Sequence, residues 1–238
     1  MLTLRIIAVI AALNCTAVAN ASDRQSCSAP AYQKYIDAQY ARIEARSRRA
    51  LVTSRRDYER SVENGANVYR VIADLSRHLI YSAQFEPAQT VNKKIALIFE
   101  LGNTLSRAQQ IAGEVFDSFS RESHSVSIAQ AWLAYRQGKH AMAFEKLLSS
   151  IDITDSAVLS SFGPDFNLVR QMYLDGHVAP VVAYIRKTQT FWKGQRADEQ
   201  RNVWLNMIKA GCPLQFDSVD VIKAAELGIS VTTSHIKH

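Results

Sequence analysis

Apolar side chains recur at steps of three and four along most of the chain, the spacing that lines one side of a 3.6-residue helix. Ile36, Tyr40 and Ile43 open such a seam in a polar stretch over 30–64, and Pro30 suits its first turn. Val68, Ile72, Leu75 and Leu79 predict a second helix over 66–83. Phe85-Glu86-Pro87 then breaks the run, because the residue before a proline avoids the helical region. Val91, Ile95, Ile98, Leu101, Leu105, Ala108, Ala112, Val115 and Phe119 predict a long helix over 88–119. That helix is either a coiled-coil partner surface or, as expected at this chain length, a bundle helix. The Ser-rich stretch 118–127 reads as a loop. Two short helices follow, joined at Gly138. Ile128, Ala131, Trp132 and Tyr135 line the first; Ala143, Phe144, Leu147, Leu148 and Ile151 line the second. Neither is long enough to be stable alone in water, so each must bury its stripe against a neighbour.

The same pattern returns after a loop over 152–165. Leu168, Val169, Met172 and Tyr173 precede Asp175-Gly176, and Val181, Val182 and Ile185 follow Pro180, while Asp165 is placed to cap the first of these helices. A helix over about 196–210 carries Val203, Trp204, Met207 and Ile208 and ends at Gly211. Cys212-Pro213 begins a turn, and Asp217 or Ser218 can cap a last short helix through Leu227, with 229–238 as a tail. Without any long alternating run of β-branched residues, the expected fold class is all-α. The expected architecture is a helical bundle over 22–120 continuing into an antiparallel helix-hairpin array over 121–228.

The stretch 128–151 resembles a tetratricopeptide repeat. Ala131, Gly138, Ala143 and Leu147 match that family's small residue in the first helix, turn glycine, alanine early in the second helix and large residue four further on, and Tyr135 stands where it has an aromatic. Around Gly176 the corresponding residues are Leu168, Met172, Val181 and Ile185. The chain departs from the pattern at Gln130 and Asp155, and at Val169 and Val181, which replace small residues, and the two copies lie 38 residues apart where the family's step is 34. Any antiparallel helix pair with a glycine turn shares much of this pattern. What the resemblance implies is a stack of hairpins whose first helices, 128–137 and 165–175, build a concave surface for a peptide or protein segment. Gln130, Arg136, Arg170 and Tyr173 are its expected binding residues.

Residues 1–21 read as a targeting segment: one charge at Arg5, an apolar run from Ile6 to Leu13, and Ala19-Asn20-Ala21 for a signal peptidase. The run is too short to anchor the chain in a bilayer. Cleavage places the protein in the bacterial periplasm or outside the cell. It also removes Cys15, leaving Cys27 and Cys212, which an oxidising compartment would pair. A redox-active or metal-binding thiol is the alternative, but no C-x-x-C accompanies either cysteine.

The net charge is +6, and +5 once Arg5 is gone, with 27 basic against 22 acidic side chains. Much of it lies in 30–64, where Arg42, Arg46, Arg48, Arg49, Arg55 and Arg56 form a basic face. Such a face is either simply solvated or suited to an acidic partner: anionic lipid headgroups, a cell-wall polyanion or an acidic protein. Nucleic acid is not expected, because of the export signal. No His-Glu-x-x-His, no G-x-S-x-G and no phosphate-binding glycine loop occurs, so neither catalytic residues nor a cofactor nor a metal site is expected. Glu145 is the one carboxylate considered as a general acid for a wall-cleaving enzyme. His140 and His177 follow equivalent glycine turns, as exposed turn residues or as a shared ligand site; His235 and His238 could bind metal adventitiously. These features point to an interaction adaptor or scaffold in the bacterial envelope. An inhibitor or immunity-type protein, a subunit of a secretion or conjugation apparatus, and a wall hydrolase are the alternatives.

Overall fold

The computed structural model describes residues 26–112, 120–152 and 157–229. The expected targeting segment and the tail from 230 lie outside the described residues, as do His235, His238, Asp155 and the last turns of the long helix expected over 88–119. The described residues form ten α-helices and no strand, so the fold is all-helical. In order they are α1 (Pro30–Glu63), α2 (Val68–Phe85), α3 (Ala88–Ala112), α4 (Ser120–Arg136), α5 (His140–Ser149), α6 (Ala157–Phe162), α7 (Asn167–Leu174), α8 (Val178–Lys187), α9 (Gln195–Lys209) and α10 (Val219–Glu226). None of them is long and apolar enough to cross a membrane.

α2 sits among α1, α3 and α4. Its face of Ile72, Leu75, Leu79 and Ala83 is buried, and Asn67 caps it by accepting the Arg70 N–H at 2.9 Å. On α1 the buried face changes character along its length. It starts with Tyr32 and Ile36 and continues with Ser47, Ser54 and Ser61, one residue every seven. The small hydroxyls let α2 lie close. Two of them satisfy themselves on the helix, Ser54 on the Leu51 carbonyl and Ser61 on the Tyr58 carbonyl.

The Ser-rich stretch expected as a loop is helical from Ser120 onwards. Serine is a weak helix former, but burial decides here: His124, Ser125 and Val126 are all enclosed, and His124 Nδ1 lies 3.0 Å from the Ser150 carbonyl at the end of α5. The first helix of the central hairpin is therefore the second half of a longer element that packs on α2.

Gly138 and Gly176 end α4 and α7 in the same way. Both have positive φ, 72° and 84°, which L side chains rarely adopt. In each, the next residue's N–H reaches back five residues: Lys139 to the Ala134 carbonyl and His177 to the Met172 carbonyl, both at 2.9 Å. α5 packs on α8, α8 on α7 and α9, and α9 on α10, so the core runs without interruption from the bundle to the last helix.

Candidate functional site

The stretch between α9 and α10 positions the site. Cys212–Phe216 has no helix of its own and is almost entirely buried, so its backbone polar groups need partners. Four successive carbonyls are each held by a different side chain. Tyr173 donates to Cys212 O at 2.9 Å, Tyr32 to Pro213 O at 2.7 Å, Tyr40 to Leu214 O at 3.0 Å, and Arg170 Nε to Gln215 O at 2.7 Å. On the other side the Asp220 carboxylate accepts the Gln215 N–H at 3.0 Å, the Asp217 N–H at 3.1 Å and Trp204 Nε1–H at 3.0 Å. This clamp holds Phe216 at φ 59°, an uncommon conformation for a bulky residue. Burial pushes the Asp220 carboxyl up to about 6, against the pull of those N–H donors. The strap thus ties α1 to α7 and α10. The disulfide Cys27–Cys212, with its Cα atoms 5.4 Å apart, fastens the start of the described chain to the same point.

Arg170 lies beneath the strap, and three adjoining cavities of about 610, 490 and 340 Å³ meet at Arg170 and Asn167. They form a groove. The two smaller ones lie between α1 and α7, with Ile43 and Ser47 lining both from α1; the largest continues the groove among α7, α9 and the turn before α10, and Asp217 lines it and the smallest of the three. The largest cavity has an aromatic wall. Phe166 lies 4.7 Å from Trp204 between ring centres and stacks on Phe216 at 6.1 Å with 4° between planes. Asp165 accepts the backbone and side-chain N–H groups of Asn167, both at 2.8 Å, which starts α7 from one residue outside it. Burial lifts the Asp165 carboxyl above the usual carboxylate range, opposed by the Asn167 hydrogen bonds and the Arg170 charge. The Arg170 guanidinium bonds the Gln215 carbonyl through Nε and Nη2 and the Asn167 side chain through Nη1 at 2.7 Å. Three of its five N–H donors are thereby engaged.

Of the four residues expected to bind a partner, Arg170 lines this groove; Gln130, Arg136 and Tyr173 line none of its three cavities. Gln130 is half-buried on α4. Arg136 closes the C-terminus of α2, donating to Ala83 O at 3.0 Å and Glu86 O at 2.7 Å. Tyr173 holds the strap and meets Phe216 edge-on at 5.7 Å. All six arginines of the basic face are exposed on α1. Arg48 pairs with Glu44 at 2.7 Å and lies over the Phe85 ring, and Arg55 pairs with Glu86. Arg42, Arg46, Arg49 and Arg56 form no ion pair with a described residue. Arg42, Arg49 and Arg56 repeat every seven residues, roughly 10 Å along the helix, and Arg46 lines the 340 Å³ cavity. The basic face and the groove therefore adjoin. Glu145 is exposed on α5 and lines none of the three cavities.

A further polar cluster lies between α1, α2 and α3. His78 is buried, with Nδ1 3.2 Å from Ser54 Oγ and Nε2 2.7 Å from Lys94 Nζ. Lys94 also reaches Ser82 at 2.9 Å and pairs with Glu86, which in turn takes Ser82 and Arg55. Burial and the Lys94 charge hold His78 down at about 4. Burial pushes Glu86 up, but hydrogen bonds from Lys94 and Ser82 outweigh it and hold the carboxyl at about 2. The sequence signal was the four-residue step His78, Ser82, Glu86, a polar stripe on one side of α2. None of the groove's three cavities reaches this cluster.

Lastly, the two hairpin turns bring His140 and His177 together, with Nδ1 of the first 2.9 Å from Nε2 of the second. No group of three or more metal-ligating side chains converges among the described residues. Comparison of the chain with protein-family models, with curated proteins and with solved structures finds no match.

Proposed function

We propose that this is an exported adaptor of the bacterial envelope, built as a helical bundle continuing into tetratricopeptide-like hairpins, whose groove around Arg170 holds a segment of a partner protein. The single observation carrying the reading is the meeting of three cavities at Arg170 and Asn167 on α7. A groove of this size, with an aromatic wall at one end and a guanidinium with two uncommitted N–H donors at its centre, suits an extended segment. Such a segment would offer an apolar side chain to Phe166 and Trp204 and a carbonyl or carboxylate to Arg170. The disulfide supports an oxidising compartment, in keeping with the targeting segment read at residues 1–21. The unpaired arginines of α1 favour a partner with acidic residues beside the bound segment.

Capture of the untagged oxidised protein's partner from an envelope fraction, at moderate salt, tests this. Arg46→Glu with Arg196→Glu reverses two exposed cations lining the groove without touching the strap. The expected result is one stoichiometric partner, held at least tenfold less tightly by the double variant, about 1.4 kcal/mol. Unchanged affinity, or no stoichiometric partner for the folded wild type, overturns the groove as a binding site. A partner that is a toxin or hydrolase silenced on binding would instead make the protein an inhibitor.

A further inference from the structure

We propose that His140 and His177 form a clip for a divalent transition-metal ion, zinc or copper(II), joining two successive helical hairpins. His140 is the first residue of α5, two beyond Gly138; His177 stands immediately before α8, one beyond Gly176. The matching turns bring the two rings into edge-to-face contact although 37 residues separate them. Their centres are 4.6 Å apart at 78°, and one nitrogen of each ring points at the other across 2.9 Å.

Packing holds the rings in this position. Tyr135 contacts both, at 5.0 and 5.8 Å between centres, and Phe144 contacts both, at 6.2 and 5.2 Å. The Tyr135 hydroxyl is itself fixed by donating to Asp175. The two nitrogens of such a pair can share one proton in a hydrogen bond, or both can turn lone pairs to a cation. In a tetrahedral zinc site with Zn–N near 2.0–2.1 Å, two ring nitrogens stand about 3.3 Å apart. Opening the observed 2.9 Å by about 0.4 Å makes room for the ion. The bound form requires the Nε2–H tautomer of His140 and the Nδ1–H tautomer of His177, so that Nδ1 and Nε2 are the ligands. Both imidazoles are half-buried, so water can complete the coordination. Imidazole pairs suit zinc and, more tightly, copper(II).

The test uses the untagged oxidised protein carrying His235→Asn and His238→Asn, which removes the tail histidines as competitors. Zinc chloride is titrated by calorimetry and thermal unfolding, and copper(II) by electron paramagnetic resonance. One ion should bind per chain and, at a hundredfold excess over its dissociation constant, raise Tm by roughly 5–10 °C. The copper spectrum should show two nitrogen ligands. His140→Asn alone and His177→Asn alone should each weaken binding at least tenfold while the helical circular dichroism is unchanged. If either variant fails to fold, the nitrogen count in the parent protein decides. Binding that survives both replacements, a copper spectrum without paired nitrogen ligands, or no binding at all overturns the clip.

Discussion

His78 is buried without charge, and that choice has a pH signature. Its folded value is about 4 against 6.5 in the unfolded chain. Above pH 6.5 both states are neutral. Between 6.5 and 4 the unfolded chain takes up a proton that the folded one refuses, so stability falls as pH falls, by about 3 kcal/mol over the window. Glu86 acts lower down. Its carboxyl is held at about 2, so its contribution is complete above the unfolded value of 4.5 and lost as pH falls towards 2. Across this range Asp220 works the other way: its folded value of about 6 lies above the unfolded 3.8, so its contribution to stability grows as pH falls. The difference in urea midpoint between the wild type and His78→Gln should therefore shrink from pH 7 to pH 4, the Asp220 contribution being common to both. At Gly163 the constraint is steric. Its φ is 77°, and an added Cβ would stand 2.9 Å from the Trp192 ring. Gly163→Ala should therefore cost about 2 kcal/mol, read as a lowered urea midpoint with an unchanged slope.

Among the elements, the strap was the one least legible in the sequence. Helices announce themselves by period, and the turn glycines, the core stripes and the Glu44–Arg48 pair all follow from spacing. Cys212–Phe216 has no period. Its hydrogen bonds come from Tyr32, Tyr40, Arg170 and Tyr173, up to 181 residues away, so local pattern could reveal only a turn at Cys212-Pro213. For the same reason Arg170 and Tyr173 were legible as residues of one helix, but not as strap holders, one of them beside a groove. The Ser-rich start of α4 is helical against its local pattern because burial of His124, Ser125 and Val126 overrides propensity. The strap's bonds make separable predictions. Tyr32→Phe, Tyr40→Phe and Tyr173→Phe should each cost about 1 kcal/mol. Arg170→Met should cost about 3 kcal/mol, because it strands the buried Gln215 carbonyl and removes three charge-assisted hydrogen bonds, two to that carbonyl and one to Asn167. Equilibrium unfolding in urea checks all four, and equal losses for Arg170→Met and a single tyrosine change would contradict the central place given to the guanidinium.

For the molecule as a whole, the disulfide closes a loop of 185 residues. In the chain-entropy account such a loop is worth about 5 kcal/mol of constraint on the unfolded chain. Reduction, or Cys27→Ser, should lower Tm markedly while leaving the helical signal of the folded state nearly intact, since the tyrosines and Arg170 still hold the strap. Calorimetry with and without reductant measures this. The pairing itself was legible: with Cys15 assigned to the targeting segment, two thiols remain. The groove was not, because it arises where α1, α7 and the 212–217 strap meet, three segments that periodicity describes only one at a time.

The loop also decides how the molecule would answer to force. A pull applied at Ser26 and Ile229 enters at Cys27, crosses the sulfur–sulfur bond and leaves at Cys212, so α1 to α9 lie outside the line of tension. Only the strap and α10 would be drawn out. Cutting the bond would put the whole chain in series and release roughly 600 Å of contour at full extension. Under tension the protein would in this way be short and stiff when oxidised and long and yielding when reduced. Optical-trap stretching in the two redox states would show the difference as a single large step in contour length.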